Sequence, residues 1–274
     1  MGHGIAYVSA VAGYDVILSD VTPDSLERAR QQIGLALDSG FARRKISDGD
    51  RRDAMSRISL STSLTLAVSN AAIVIEAAPE RLALKRGLFE HIAEAATRSS
   101  LLATNTSSLS ISEIASATDC PNRVIGMHFF NPVAAMKLVE IVRGAHTDDA
   151  TVARARTFAE SLGKTAIVIA DSPGFATSRL GIVLGLEAMR MLEQGVASAA
   201  DIDAAMELGY NHPIGPLKLT DIVGLDVRLA VADHLLASLG GVTYAAPEIL
   251  RGLVAAGHLG KKTGRGFYSW PVVP

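Results

Sequence analysis

Short apolar runs that alternate with helical segments constrain the fold of this chain more than any other feature. The segment AAIVIEAA at 71–78 reads as one continuous apolar run, which is typical of a parallel strand buried on both faces. Because strands that alternate with helices form parallel sheets, we predict a doubly wound α/β sheet. The other predicted strands are 14–19, 101–104, 124–129, 138–142 and 166–170, and the predicted helices are 4–12, 23–40 and 81–96.

The segment Asp171-Ser172-Pro173-Gly174 marks a boundary, because the chain changes character beyond it. Strand-like runs stop there, and segments with helical spacing follow. We therefore predict two domains, an α/β domain at 1–172 and an all-helical domain at 173–274. The predicted helices of the second domain are 175–194, 198–208 with Ser198 as its N-cap, 216–223, 226–239 and 247–256.

Composition and charge exclude several function classes. The 274 residues carry a formal net charge of -2, which gives no electrostatic reason to expect binding to nucleic acid or to a membrane surface. The sequence has no apolar run long enough to span a bilayer and no signal-peptide pattern. Cys120 is the only cysteine, so no intrachain disulfide can form, and we expect a cytoplasmic protein without a bound metal.

The N-terminal segment MGHGIAYVSAVAGYDVILSD has most of a dinucleotide-binding unit of the Rossmann type. Such a unit requires a strand, a Gly-rich turn, a helix, a second strand and then an acidic residue. Gly2 fits the third glycine of the turn, where we expect a side chain to block close packing of helix and strand. Asp20 follows the second strand and is expected to meet the ribose hydroxyls. Val21 and Thr22 come next, with no arginine for a 2′-phosphate, which favours NAD over NADP.

The first strand and the first two glycines of this unit are absent from the sequence. Without that strand, its two neighbours in the sheet would have unpaired backbone groups facing a gap. We therefore expect that the natural protein starts roughly a dozen residues upstream, and that Met1 is an internal methionine of the Gly-rich turn. The alternative is a genuine short form with a gapped or rearranged sheet.

Polar side chains at the ends of apolar runs suggest a catalytic site between 104 and 140. A histidine becomes an effective general base when a carboxylate fixes its tautomer, and His128 and Glu140 are suited to form such a pair. A hydroxyl from Ser107 or Ser108 would then hold the substrate oxygen. The alternatives are a structural histidine at a strand end, and a serine that caps the helix starting near Ser110.

Six motifs in this chain resemble those of the 3-hydroxyacyl-CoA dehydrogenase family, in family order over nearly the whole sequence. One such motif would be a weak signal, whereas six in order are a strong one. They are NTSSL at 105–109, HFFNP at 128–132, KLVE at 137–140, DSPGF at 171–175, Gly215-Pro216, and GKKTG with GFY at 260–268.

The resemblance implies reversible, NAD-dependent oxidation of an L-3-hydroxyacyl-CoA to the 3-ketoacyl-CoA. In that reading, His128 takes the hydroxyl proton, Glu140 accepts a hydrogen bond from the other ring nitrogen, and Ser107, chosen over Ser108 by the family pattern, binds the substrate oxygen. Asn131 either binds the substrate carbonyl or locks the turn with the following proline. The family also implies a homodimer formed through the helical domain.

The resemblance also implies the cofactor and coenzyme contacts. Glu80, Lys85 and Asn105 are expected near the nicotinamide end of NAD, where open α/β sheets bind their ligands. For Lys85, a surface ion pair is the alternative. The charged segment 41–57 is predicted to be a helical hairpin with a turn at 47–50. The resemblance implies that Arg43, Arg44 or Lys45 contacts the phosphates of coenzyme A. The alternative is that the charges of this segment only face solvent.

Ser178 marks a departure from the family pattern. The family has Asn at this point of Gly-Phe-x-x-Asn-Arg, described as a substrate contact beside the histidine, whereas this chain has Ser178 before Arg179. Ser178 is therefore assigned to substrate binding. Three consequences of the replacement are open: the activity is reduced, the acyl group is bulkier near this point, or the serine is adequate for the substrate of this protein. Two other functions stay open: a dehydrogenase of a free hydroxy acid, as in the lambda-crystallin-like branch, and a non-catalytic relative.

Overall fold

A computed structural model describes residues 1–271 of the chain. The chain divides into two compact units, the first covering residues 1–172 and the second beginning at Pro173. None of the helices within residues 1–271 combines the length and the apolar character that crossing a membrane requires.

The first unit, residues 1–172, is described in full and contains seven strands and seven α-helices. In chain order they are α1 (Gly2–Val11), β1 (Val16–Ser19), α2 (Pro23–Ala42), α3 (Asp48–Ser56), β2 (Ile58–Ser61), α4 (Leu64–Val68), β3 (Ile73–Glu76), α5 (Leu82–Ala95), β4 (Leu101–Thr104), α6 (Ile111–Ala115), β5 (Val124–Phe129), β6 (Leu138–Arg143), α7 (Asp149–Ser161) and β7 (Thr165–Ala170).

The strands of this unit form two sheets. One sheet has the order β3-β4-β5-β6-β7 and is parallel except for the antiparallel pair β5–β6, while β1 and β2 form a separate parallel pair. The order β2-β1 followed by β3-β4-β5 is the doubly wound order without its strand 1. The Rossmann-like fold class predicted from the sequence is confirmed.

Helix α1 packs against both sheets. A Cβ atom at Gly2 would lie 3.9 Å from the side chain of Leu18 on β1 and 3.9 Å from that of Ala77 after β3. These are ordinary contacts, so the expectation that a side chain at Gly2 would block the packing is wrong. The tight approach lies at Gly4, where a Cβ would come within 3.0 Å of Val133.

The charged segment forms the predicted helical hairpin from the end of α2 through α3. The predicted turn at 47–50 is wrong, because these residues begin α3. The Ser47 hydroxyl accepts from the Asp50 N–H at 3.0 Å, and the Asp50 carboxylate accepts from the Ser47 N–H at 3.0 Å. This reciprocal capping satisfies the N–H groups of Ser47 and Asp50, which stabilises the first turn of a helix at this point. The chain reverses just before, where Arg44 has a positive φ of 55°.

The second unit is helical, as the sequence predicts. Its α-helices are α8 (Thr177–Glu193), α9 (Ala199–Gly209), α10 (Pro216–Val223), α11 (Leu225–Leu239) and α12 (Glu248–Ala255). Ser198 caps α9 as expected, because its side chain accepts from the Asp201 N–H at 3.2 Å. The core of this unit consists of apolar residues from all five helices, among them Leu186, Leu217 and Leu235.

A buried carboxylate anchors the C-terminal segment to the second unit. Asp221 is fully buried and accepts hydrogen bonds from the backbone N–H groups of Phe267 and Tyr268, each at 2.9 Å, and from the Trp270 indole at 2.8 Å. A Cβ atom at Gly266 would overlap this carboxylate. The motif at 260–268 therefore needs its glycine because the backbone must pass directly over Asp221.

We expect Gly266→Ala to lower the free energy of unfolding by about 1–3 kcal/mol, since the added methyl group must push the chain away from Asp221. Urea unfolding followed by circular dichroism measures the change. Gly252→Ala is the matched control, because a Cβ at Gly252 on α12 meets no atom within 4 Å, and there we expect a slight gain in stability from helix propensity. Equal effects of the two substitutions would contradict the close approach at Gly266.

Candidate functional site

His128 and Glu140 form a buried pair on neighbouring strands. They are directly opposite residues in the antiparallel pairing of β5 with β6, so both side chains lie on the same face of the sheet. His128 Nδ1 lies 2.7 Å from Glu140 Oε2, and the two side chains are 9% and 0% exposed. The structure therefore brings together the two residues that the sequence pairs.

This arrangement orients the imidazole. Glu140 accepts the Nδ1 proton, so proton exchange with a bound molecule falls to Nε2. The ring of Phe130 packs against the imidazole with a centroid distance of 4.4 Å, which further restricts its rotation. A buried carboxylate next to the ring also favours the charged imidazolium that would form after proton transfer.

The loop after β4, residues 105–108, is held by Glu80. One carboxylate oxygen, Oε1, accepts from the Thr106 hydroxyl at 2.6 Å, from the Ser107 N–H at 2.9 Å and from the Ser108 N–H at 3.2 Å. The exposed Ser107 also donates its hydroxyl proton to Oε1 at 3.2 Å. Ser110 caps α6, so the alternative in which Ser107 is the helix cap is wrong.

The hydrogen bonds of this loop set the ionisation of Glu80. Burial acts to raise the pKa of its carboxyl, but the hydrogen bonds from Thr106 and Ser107, together with Lys85, outweigh burial and hold the pKa below its usual value. Because the folded pKa is the lower one, the ionised form stabilises the fold fully above the unfolded value near 4.5. That contribution is lost as the pH falls through the folded pKa.

We expect Glu80→Gln to lower the free energy of unfolding at pH 7 by about 1–2 kcal/mol, since charge-assisted hydrogen bonds to the loop become neutral ones. The variant should also lose less stability than the parent protein on acidification below the unfolded pKa. Urea titrations at neutral and acidic pH measure both effects. Glu113→Gln, an exposed carboxylate on α6, is the control; an identical pH dependence of parent and Glu80→Gln would contradict the role of Glu80.

Lys85 lies in the protein interior, so the surface ion pair considered from the sequence is wrong. It is 1% exposed, and its ammonium group lies 2.8 Å from Glu76 Oε1 and 3.5 Å from Glu80 Oε2. Glu76 also accepts from the Thr104 hydroxyl at 2.6 Å. Glu76 was not among the predicted site residues, although a carboxylate inside the apolar run 71–78 indicates a buried partner.

The two asparagines have different surroundings. Asn105 Oδ1 accepts from the Phe129 N–H at 2.8 Å, which ties the end of β4 to β5 beside His128. Asn131 is exposed, and a cis peptide bond joins it to Pro132. It lies at a surface groove lined by α1, α2 and the segment 131–134.

Lys164, which the sequence analysis does not name, holds the segment after Pro132, because its ammonium group donates to the Val133 carbonyl at 2.6 Å.

The N-terminal end of α1 fits a phosphate group. The helix begins at Gly2 without a side-chain cap and without an acidic residue in its first turn. Backbone N–H groups at such an end attract anions. Asp20, exposed at the end of β1, has one carboxylate oxygen bonded to the Thr22 N–H at 3.1 Å. Contact of Gly2 and Asp20 with a dinucleotide stays a prediction.

The remaining candidates lie elsewhere. Arg43, Arg44 and Lys45 are all exposed between α2 and α3. Burial raises the pKa of the Cys120 thiol, which disfavours a reactive thiolate. Ser178 lies half-buried in the first turn of α8, in the second unit. Residues 1–271 contain no group of three or more His, Cys, Asp or Glu side chains that could hold a metal ion.

Comparison with known proteins identifies both units. Residues 1–172 match the sequence model of the 3-hydroxyacyl-CoA dehydrogenase NAD binding domain, and residues 174–270 match that of the 3-hydroxyacyl-CoA dehydrogenase C-terminal domain. A probable 3-hydroxybutyryl-CoA dehydrogenase of Bacillus subtilis is 42% identical, over 98% of this chain and 94% of its own length. The 3-hydroxybutyryl-CoA dehydrogenase of Bradyrhizobium diazoefficiens is 40% identical, with coverage of 98% and 92%.

A solved structure is equally similar. The crystal structure of (S)-3-hydroxybutyryl-CoA dehydrogenase from Ralstonia eutropha superimposes with a TM-score of 0.95 at 40% identity, covering 99% of this chain and 95% of the other. Both domains of the family match in order, and relatives at 40–42% identity cover 98% of this chain. This protein belongs to the 3-hydroxyacyl-CoA dehydrogenase family.

Proposed function

We propose that this protein oxidises an L-3-hydroxyacyl-CoA to the 3-ketoacyl-CoA reversibly, with NAD as the hydride acceptor. The observation that carries the proposal is the buried His128–Glu140 pair, at 2.7 Å, in a chain of this family. Relatives about 40% identical are named 3-hydroxybutyryl-CoA dehydrogenases, which favours a short acyl chain.

The proposed chemistry divides between the cofactor and the protein. NAD, when bound, accepts the hydride that leaves C3 of the substrate. His128 accepts the proton of the 3-hydroxyl group at Nε2, and Glu140 stabilises the resulting imidazolium. Ser107 positions the substrate oxygen, while Asn131 either contacts the substrate carbonyl or holds the turn. In the reverse direction His128 returns the proton to the same oxygen.

Several residues of this chain are suited to hold NAD. The uncapped N-terminus of α1 at Gly2 would bind the pyrophosphate, and Asp20 would accept from the ribose hydroxyls. The loop held by Glu80, together with Asn105, would border the nicotinamide end, and the buried Lys85 would support that loop through Glu80. Since Val21 and Thr22 follow Asp20, no arginine is placed to receive a 2′-phosphate.

Two further parts of the proposal concern assembly and location. A homodimer through the helical unit agrees with exposed apolar side chains on its helices, such as Leu180 and Val227, which are 72% and 44% exposed. We also place the enzyme in the cytosol, in acyl-CoA metabolism, which agrees with a single cysteine and no disulfide. Light scattering at micromolar concentration tests the dimer, and a monomer mass would contradict it.

The experiment that tests the function is NADH consumption with acetoacetyl-CoA, compared with free acetoacetate at the same concentration. We expect turnover with the thioester only. Turnover with the free acid would indicate a hydroxy acid dehydrogenase instead, and turnover with neither substrate would favour a non-catalytic relative.

Ser178→Asn, which restores the amide found in the family pattern, should raise kcat if an amide donor at this point stabilises charge on the substrate oxygen.

A further inference from the structure

The connection between β5 and β6, residues 130–137, has few apolar contacts with the rest of the first unit. It carries Asn131 and joins the strand of His128 to that of Glu140. From Asn131 onward its residues are exposed, except for Val133, which is 4% exposed. A segment with so little buried apolar surface opens easily unless polar contacts hold it. The place of Asn131 relative to His128 therefore depends on polar contacts of the connection.

Lys164 supplies two of these contacts. Its ammonium group donates to the Val133 carbonyl at 2.6 Å and to the Met136 carbonyl at 2.8 Å. Hydrogen bonds from a charged donor are roughly twice as strong as those between neutral groups. Within residues 1–271 no carboxylate forms an ion pair with Lys164, and burial lowers the pKa of its ammonium group. The charge of Lys164 is thus directed at the connection.

The order of the strands places Lys164 at the edge of the sheet where a ligand is expected. Lys164 directly precedes β7, which is parallel to β6, and β6 is antiparallel to β5. The N-terminal end of β7 therefore lies at the edge where β3, β4 and β5 end, and open α/β sheets bind their ligands at that edge. The Thr165 N–H donates to the Lys137 carbonyl at 2.7 Å, which joins the start of β7 to the end of the connection.

The connection also rests on the first turn of α1. A Cβ atom at Gly4 would lie 3.0 Å from Cγ2 of Val133, so this side chain packs directly onto the backbone of the turn. The carbonyl of the same residue accepts from Lys164. A change at Lys164 would therefore act on Asn131 and also on the N-terminal end of α1, to which the proposed function assigns the pyrophosphate.

We propose that Lys164 is a positioning residue for the reaction. Its two hydrogen bonds hold the connection, so that Asn131 and the N-terminal end of α1 keep their places relative to Nε2 of His128. The inference rests on the proposed function, which assigns the proton transfer to His128 and the cofactor to α1. If Lys164 only supported the fold, its loss would lower the stability and leave the turnover of the folded protein unchanged.

Lys164→Met tests the proposal, because methionine has a long side chain without an N–H donor. At a temperature at which this variant is fully folded, we expect kcat/KM for acetoacetyl-CoA reduction to fall roughly tenfold to a hundredfold, since a displacement of about 1 Å can have that effect. Lys164→Arg, which can donate to both carbonyls, should recover most of the loss. Lys137→Met replaces an exposed lysine at the end of the same connection and should keep the parent value.

Hydrogen exchange reports on the connection without any reaction. The N–H groups of Ala135 and Met136 are bonded to the Pro132 carbonyl at 2.9 and 3.0 Å, and we expect both to exchange faster in Lys164→Met. Exchange as slow as in the parent protein would overturn the proposal. Faster exchange with an unchanged kcat/KM would do the same, as would a Lys164→Arg protein no more active than Lys164→Met.

NADH binding distinguishes a failure of this inference from a failure of the proposed function. If the parent protein does not reduce acetoacetyl-CoA, the proposed function fails, but the dissociation constant for NADH still reports on the end of α1. We then expect Lys164→Met to raise that constant severalfold, and equal constants would overturn the proposal. If Lys164→Met does not fold, Lys164→Gln replaces it, because glutamine can keep a bond to one carbonyl. We expect an intermediate loss, and full activity of Lys164→Gln would count against Lys164.

Discussion

Replacing His128 with Gln is expected to lower kcat for acetoacetyl-CoA reduction by about 10²–10⁴-fold, because the proton that joins the substrate oxygen loses its donor. Gln is close in size and can still donate to Glu140, which accepts from the ring at 2.7 Å in the parent protein. The loss should therefore appear in kcat, while KM and the thermal unfolding temperature change little. Steady-state kinetics together with calorimetry measure these quantities.

Two further substitutions show whether the effect belongs to the pair. Glu140→Gln keeps a hydrogen-bond acceptor but removes the charge that stabilises the imidazolium, so we expect an intermediate fall in kcat. His91→Gln replaces an exposed histidine on α5 and should leave kcat unchanged. A His128→Gln enzyme with full activity would contradict the assignment of His128 as general acid and base.

Replacing Lys85 with Met is expected to lower the free energy of unfolding by about 3–5 kcal/mol, because it leaves the buried Glu76 carboxylate without its cationic partner. The ammonium group is bonded to both carboxylate oxygens of Glu76, at 2.8 and 3.0 Å, and to the Ala78 carbonyl at 3.1 Å. Denaturant unfolding of the parent and variant proteins measures this difference.

The double variant Glu76→Gln/Lys85→Met separates the charge from the packing. Removing both charges should recover much of the stability lost in Lys85→Met, since no buried charge is then left unpaired. Lys218→Met, an exposed lysine on α10, is the control and should change the free energy of unfolding by less than about 0.5 kcal/mol. A double variant no more stable than Lys85→Met would show that Lys85 acts through its packing.

Two carboxylates lie inside buried strands of the first unit. Glu140 lies inside the buried strand β6, and its predicted partner is His128. Glu76 lies inside the apolar run 71–78, where its buried partner is Lys85. A charged residue within a buried strand predicts a buried partner in each case.

Local sequence patterns determined the order of elements in this protein. Apolar runs, turn residues and caps act over a few neighbouring residues, so strands such as β4 and β5, the cap at Ser198 and the helical second unit were predictable. The family motifs added His128, Glu140 and the proposed reaction.

Only the tertiary structure decided which side chains meet. The antiparallel register of β5 and β6 sets His128 opposite Glu140, and the loop after β4 turns its hydroxyl and N–H groups toward Glu80. Lys164 meets the connection between β5 and β6 only when β7 joins the sheet. Such contacts join residues far apart in the chain, and their burial depends on how whole elements pack, which no local pattern specifies.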